Sequence, residues 1–291
     1  MMKNLNIKFI KYRKIAYVVM TALIVASVTS FFVRGLNYGI DFAGGISMEV
    51  TTVDSSFTID RMRSELSVFS PELQEMRDTG NVVIRVGLSQ DSTEEQQQEL
   101  LGELRTALGD RVTIEQVQMV GPQIGGELIR GGIMAVFFAF VLMSLYIWIR
   151  YRGGYAASSF ISLILDFIVM FGFFSLVGLE FNQTAIAVIL MAIGYSTNDK
   201  VVNYDRIDEN MRKYHKMPIG DIIDLSVNQM LSRTVITSTT TIACMFGLYM
   251  FGGSMLREFS IAMMFGVALG SLTSIFISNA LLLNFDIREE K

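Results

Sequence analysis

The sequence predicts a membrane all-α bundle of six helices, with a small α+β domain of ferredoxin-like character inserted between helices 1 and 2. Three observations carry this. Hydrophobic residues make up 51% of the 291 residues and charged residues only 18%, against about 25% charged in a soluble domain. Six segments are long and apolar enough to cross a hydrocarbon core, which takes about 20 helical residues. The charge is also uneven. Between Val50 and Val120 stand 13 acidic residues against 6 arginines and no lysine, so the net −4 of the chain is −7 in this stretch and +3 elsewhere. Such a balance excludes a disordered chain and a basic nucleic-acid binder, so the lipid bilayer is an expected partner and nucleic acid is not. One Cys and one His rule out a disulfide scaffold and leave too few soft ligands for a structural zinc site or a Cys/His nucleophile pair.

The spans are expected at 15–33, 129–149, 155–177, 184–204, 231–251 and 258–283, with tails at 1–14 and 284–291. The insert and its linkers occupy 34–128, and 205–230 reads as an amphipathic loop. Lysine and arginine mark the cytoplasmic ends of short loops. They precede span 1 (Lys3, Lys8, Lys11, Arg13, Lys14), separate spans 2 and 3 (Arg150, Arg152), follow span 4 (Arg206, Arg212, Lys213, Lys216) and follow span 6 (Arg288, Lys291). The turns Gly178–Gln183 and Gly252–Arg257 hold one arginine between them. Both termini are therefore expected in the cytoplasm and the insert outside it, which in a bacterium means an inner-membrane protein with a periplasmic domain. A basic start before an apolar run also suits a cleavable signal peptide. Here no clear A-x-A site follows the run, and cleavage would spoil the even span count, so span 1 is read as a retained anchor.

Within the insert, Ile46, Met48 and Val50 alternate with more polar neighbours as a half-buried strand does. Ile59, Met62, Leu66 and Phe69 recur at helical spacing behind Thr58, a suitable N-cap. A second strand is expected at 81–88, a helix capped by Asp91-Ser92-Thr93 through Leu108, and a third strand at 111–120. This β-α-β-α-β order suits a compact two-layer domain. It holds no catalytic cluster, so binding or docking is its expected task.

Ionisable groups inside spans cost about 2.5–3.5 kcal/mol at mid-membrane, which makes each a functional candidate. They are Asp166 in span 3, Asp199 and Lys200 in span 4, and Arg233 at the start of span 5. Tyr195, Asp199 and Asn203 lie at i, i+4 and i+8 with Asn198 beside them, and Arg233, Thr237, Thr240 and Thr241 form a second polar stripe. Two facing stripes would make a narrow wet path with a carboxylate able to bind and release a cation. Three blander readings stand beside this one. Asp199 and Arg233 form a static ion pair or lie at the cytoplasmic interface where charges cost little, Asp166 hydrogen-bonds a neighbouring hydroxyl, or the threonines back-bond to their own helix. In span 6, Ala262, Gly266, Gly270, Ser274 and Ser278 recur every four residues, a small-residue face for close helix packing.

Four motifs carry a resemblance. Gly35-Leu36-Asn37-Tyr38-Gly39-Ile40-Asp41-Phe42-Ala43-Gly44-Gly45 and Val120-Gly121-Pro122-Gln123-Ile124-Gly125-Gly126-Glu127-Leu128 flank the insert. Ile193–Asn210 and Leu231-Ser232-Arg233-Thr234 with Thr237-Ser238 and Thr240-Thr241 lie in spans 4 and 5. In this order they resemble the SecD/SecF family of protein-export membrane proteins, within the RND superfamily. The resemblance implies a six-span RND-type half paired with SecD, working beside the Sec translocon channel and a YajC-like small membrane protein. It implies a cargo of unfolded preprotein, and a proton or sodium gradient in place of any cofactor. The family's ion-responsive aspartate falls on Asp199 and its arginine on Arg233. Lys200 stands where the family usually has a small or hydroxyl residue. It is expected either to snorkel to the cytoplasmic headgroups or to pair with Asp199 and alter the coupling. Two other readings are an RND-type exporter half for lipids or small molecules and a passive assembly scaffold. An intramembrane aspartyl hydrolase would need Asp166 and Asp199 to share a proton, so no enzyme is expected.

Overall fold

The structure is a computed structural model and describes residues 6–53, 57–75, 80–87, 94–151, 153–252, 254–285 and 287. It divides into two compact units, Tyr38–Met134 and the joined segments Met1–Asn37 and Ala135–Lys291.

The insert carries strands β1 Gly45–Thr52, β2 Glu72–Glu75, β3 Val82–Val86 and β4 Val112–Val120, with helices at Ile59–Glu65 and Glu94–Leu108. The sheet order is β2-β3-β1-β4, and every neighbouring pair is antiparallel. Strand β1 is internal, with Ile46 opposite Val86 on one side and Met119 on the other. Ile46, Met48 and Val50 are fully buried and close a core with Ile84 of β3 and with Met62, Leu66, Leu104 and Leu108 of the two helices. The expected three strands are therefore four. Strand β2 was illegible because only Leu73 in Glu72-Leu73-Gln74-Glu75 is apolar, and as an edge it pairs on one side alone. The helix expected over 58–69 is regular only to Glu65 and then tightens into a 3₁₀ turn, Ser67–Phe69. Ser70 turns left-handed ahead of Pro71, where a proline disfavours the helical conformation. Thr58 takes the extended N-cap backbone, but its hydroxyl makes no capping bond. The cap expected at 91–93 lies outside the described residues.

Gly44 and Gly45 have φ of +71° and +146°, values that L side chains rarely adopt. A Cβ on Gly45 would also lie 2.5 Å from the Val86 carbonyl oxygen, so β1 can enter the sheet at this register only with a glycine there. Gly45→Ala is expected to destabilise the insert by about 1–3 kcal/mol, seen as faster proteolysis of the insert in the full-length chain.

Six helices are long and apolar enough to cross a membrane. Span 1 is Arg13–Arg34, span 2 Pro122–Arg150, span 3 Gly153–Val177, span 4 Gln183–Lys213 and span 5 Ile219–Phe251. Span 6 is Ser254–Thr273, continued by a π-helical turn Ser274–Ser278 and Asn279–Leu281. Span 4 begins on a capping bond, the Ala185 N–H donating to Asn182 Oδ1 at 3.0 Å. Spans 4 and 6 are central, whereas spans 2 and 5 are open along most of their length.

The segment 205–230, expected as a loop, is helical except for 214–218. Its charges hide an apolar face. Tyr204, Ile207 and Met211 of span 4 pack against Ile222, Ile223 and Val227 of span 5. Asn210 Nδ2 joins the two helices by donating to Ser226 Oγ and Gln229 Oε1, both at 2.8 Å. The N-terminal segment straps across this hairpin, with the Ile7 N–H on Asn228 Oδ1 (3.0 Å) and the Ile10 N–H on Asp224 Oδ1 (2.9 Å).

Span 6 turns its small residues onto span 4. A Cβ on Gly266 would lie 2.5 Å from Ala192 Cβ, and one on Gly270 would lie 2.8 Å from Ser196 Cβ. Gly266→Ala should therefore cost about 1–3 kcal/mol by overpacking. In detergent thermal unfolding, adding Ala192→Gly should recover most of that loss.

Candidate ion-coupling site in the helix bundle

Span 4 buries Ser196, Asp199, Lys200, Asn203 and Tyr204 on the side that meets the other helices. Asp199 is 6% exposed. Its Oδ1 accepts the Thr234 hydroxyl of span 5 at 2.7 Å, and its Oδ2 accepts the Ser274 hydroxyl of span 6 at 2.5 Å. Three spans thus converge on one carboxylate. Ser274 stands at the first residue of the π-helical turn, and π-turns inside α-helices often mark functional sites. The Ser274 hydroxyl also lies 3.0 Å from the Ser271 carbonyl of its own helix. Its single proton therefore has two acceptors within reach.

One residue further along, Lys200 is fully buried. Its Nζ donates to Asp166 Oδ2 of span 3 at 2.7 Å and to Ser196 Oγ at 2.5 Å. The Ser196 hydroxyl donates to the same Asp166 Oδ2 at 2.7 Å. Both expectations for Lys200 are corrected. The side chain does not reach outward to headgroups, and its partner is Asp166 rather than Asp199. Successive helix residues point about 100° apart, so Asp199 faces spans 5 and 6 while Lys200 faces span 3. Asp166 does accept a hydroxyl, as the blander reading held, but it also carries an ion pair.

Arg233 does not sit against Asp199. It is exposed on span 5 and makes no ion pair among the described residues. The same 100° step explains this, because Thr234 occupies the inward position beside it. Asn198 is exposed on span 4. Tyr195 and Asn203 line the inner face with Asp199, yet the Tyr195 hydroxyl and Asn203 Nδ2 are buried without a hydrogen-bond partner. Thr237 donates to the carbonyls of Arg233 and Thr234, and Thr241 to that of Thr237. The second stripe is therefore satisfied within its own helix and does not line a path inside this half. Ser278 hydrogen-bonds Tyr204 through its hydroxyl and accepts the Ser158 hydroxyl on its carbonyl at 2.6 Å.

The sequence pattern does not mark Thr234, Ser196 or Ser158 as site residues, and it marks Ser274 for packing alone. Ser196 stood four residues before Lys200, so a shared helix face was already visible. Nothing in the sequence aims Thr234 at Asp199.

Residues 101–288 match the C-terminal region of the protein export membrane proteins SecD/SecF, and residues 29–55 match the SecD/SecF GG motif. The chain belongs to the SecD/SecF family. It is 39% identical over 289 residues to the protein translocase subunit SecF of Rickettsia rickettsii, covering 97% of this chain and 92% of that one. With the subunit of Rickettsia prowazekii it shares 37% over 293 residues, 98% of this chain and 93% of that one. It is also similar to the crystal structure of SecDF, a translocon-associated membrane protein from Thermus thermophilus, with TM-score 0.85 and 29% identity over 97% of this chain. It spans only 39% of that SecDF chain. A SecDF structure in a super-membrane-facing form matches at TM-score 0.70 and 28% identity, over the same shares of the two chains. The relatives are named as protein translocase subunits, a transport role and not an enzymatic one. The C-terminal match contains Asp166, Asp199, Lys200, Thr234 and Ser274.

A carboxylate that loses a hydroxyl donor in a buried site leaves an acceptor unmet, at about 1–3 kcal/mol. Thr234→Val and Ser274→Ala should each lower thermal stability by that amount in detergent. In the Asp199→Leu background either change should cost much less, because the acceptor is gone.

Proposed function

We propose that the chain is the SecF-type half of a gradient-driven protein-export complex. In this reading it pairs with SecD beside the Sec translocon channel and a YajC-like small membrane protein. It uses a proton or sodium gradient to assist late, periplasmic steps in the passage of an unfolded preprotein. The observation that carries this is Asp199. It is a buried carboxylate with no cation beside it among the described residues, held by hydroxyls from two other spans.

Such a group is poised to accept a positive charge, and its partners would feel the change. Hydrogen bonds to a charged group are worth about 1.5–3 kcal/mol each. One charge crossing the membrane field supplies about 2.3 kcal/mol per 100 mV. The two energies match, so occupancy of Asp199 by one proton or sodium ion is enough to weigh against one of these bonds. Ser274 can then turn its proton to the Ser271 carbonyl, 3.0 Å away, which loosens span 6 from span 4.

Further features support the arrangement. Lysine and arginine in the loops favour cytoplasmic termini in a bacterial inner membrane. The β-α-β-β-α-β order and antiparallel sheet of the insert suit a ferredoxin-like periplasmic domain. Asn198 and Arg233 are polar groups exposed on membrane helices. Facing lipid they would be costly, which favours a second membrane half against spans 4 and 5. In that setting Arg233 would act toward SecD rather than on Asp199 of its own bundle. No observation favours an exporter of lipids or small molecules.

Secretion measured in inverted vesicles and in spheroplasts, with each gradient collapsed separately, tests the reading. Asp199→Asn should abolish the gradient-dependent stimulation while the chain still co-purifies with its membrane partner. Stimulation that survives this substitution would remove Asp199 from the mechanism.

A further inference from the structure

The bundle core holds two buried carboxylates in different electrostatic circumstances. Asp166, 2% exposed, has an ammonium 2.7 Å from Oδ2. Asp199 has only hydroxyls. The charged and titratable groups around them are few among the described residues. Span 3 supplies Asp166, and span 4 supplies Tyr195, Asp199, Lys200 and Tyr204. Span 5 supplies the exposed Arg233, and span 6 presents only hydroxyls here, Ser271, Ser274 and Ser278.

We propose that Lys200 is a tethered cation that permanently fills the Asp166 carboxylate, so that Asp199 alone is left to exchange a proton or sodium ion. The inference rests on the ion-coupled reading of Asp199 and adds to it a specificity: one exchangeable ion in this half, where two acids are present. Three observations carry it. The ammonium is fully buried and fixed by two short contacts, to Asp166 and to Ser196. A cation built into the chain cannot leave on a transport cycle, unlike a bound ion. Third, Ser196 Oγ and the Asp166 carboxylate are hard oxygen groups gathered at the ammonium, able to take a proton or another small cation in its place once it is gone. Asp166 Oδ1 is buried without a partner, so the set has spare acceptor capacity.

A buried carboxylate stripped of its counter-charge is too costly to persist. Lys200→Met should therefore turn Asp166 into a second exchangeable acid. The test is labelling of the full-length chain in native membranes with a hydrophobic carbodiimide, which modifies protonated carboxyl groups, read by mass spectrometry at residues 166 and 199. In the wild type Asp166 should stay unlabelled. In Lys200→Met its labelling should rise at least about tenfold, be protected by sodium chloride or raised pH, and vanish in Lys200→Met/Asp166→Asn. Asp166 labelled as readily in the wild type, or unlabelled in a membrane-assembled Lys200→Met, overturns the proposal. Lys200→Met alone can fail to assemble, and the double variant, which buries a neutral pair, then decides. Export stimulation that keeps the wild-type slope against proton and sodium concentration supports the tethered cation, and a lost or shallower slope overturns it. Labelling at Asp166 asks nothing of export, so its result stands apart from that of Asp199→Asn.

Discussion

With no side chain at Gly266 and Gly270, span 6 comes so close to span 4 that hypothetical Cβ atoms there would overlap Ala192 and Ser196. That closeness is what lets a hydroxyl as short as that of Ser274 reach Asp199. The contacts continue in step along both helices, Gly266 at Ala192, Gly270 at Ser196, Ser274 at Asp199 and Ser278 at Tyr204. The residue numbers rise together, so the two helices run in the same direction, as the second and third descending legs of an up-and-down bundle must. Packing in the N-terminal part of this interface therefore sets the polar chemistry in its C-terminal part. A bulkier residue at 266 or 270 would move the Ser274 hydroxyl off the carboxylate even though neither position touches it.

The electrostatic arrangement follows from the helix step. Two adjacent charged residues on span 4 are turned toward different neighbours, so Lys200 compensates the acid of span 3 while Asp199 on span 4 keeps no counter-charge among the described residues. Burying an ion pair is rarely a net gain in stability, and losing one partner costs about 3–5 kcal/mol. The Lys200–Asp166 pair is thus better understood as fixing spans 3 and 4 in one register than as a source of stability. Asp199 has the opposite character. Its donors are neutral hydroxyls, and one of them has an alternative acceptor on its own helix.

The six apolar helices, the buried faces of β1 and β3, and the presence of acids inside spans 3 and 4 were legible in the sequence because each rests on periodicity or on the cost of burying charge. What was not legible shares one cause: it depends on which neighbour a residue meets. Ile207 with Met211, and Ile223 with Val227, have helical spacing, but the charges interleaved with them read as a loop until the partner helix is in place. Strand β2 gains its place from pairing with β3, not from its own composition. Lys200 and Asp166 lie 34 residues apart, and no local pattern ties them together. The small-residue stripe of span 6 announced close packing, but not that its fourth and fifth members would hydrogen-bond a carboxylate and a phenol.

The π-helical turn gives span 6 a second property. It starts at Ser274 and ends at Ser278, so both hydroxyls that meet span 4 lie within it, while the Ser278 carbonyl is satisfied from span 3 by Ser158. Wider helical turns leave backbone groups to be met from outside, and they sit at the few places where a helix can change pitch. The Tyr204–Ser278 and Ser158–Ser278 bonds involve no charged group, so a cation arriving at Asp199 leaves them in place and acts on the Ser274 end alone. In the ion-coupled reading the response is therefore a change of pitch confined between Gly270 and Ser278, held on one side by the close packing of Gly266 and Gly270 on span 4 and on the other by the Ser278 bonds. A sliding of the whole helix would instead break the Ser278 bonds to spans 3 and 4.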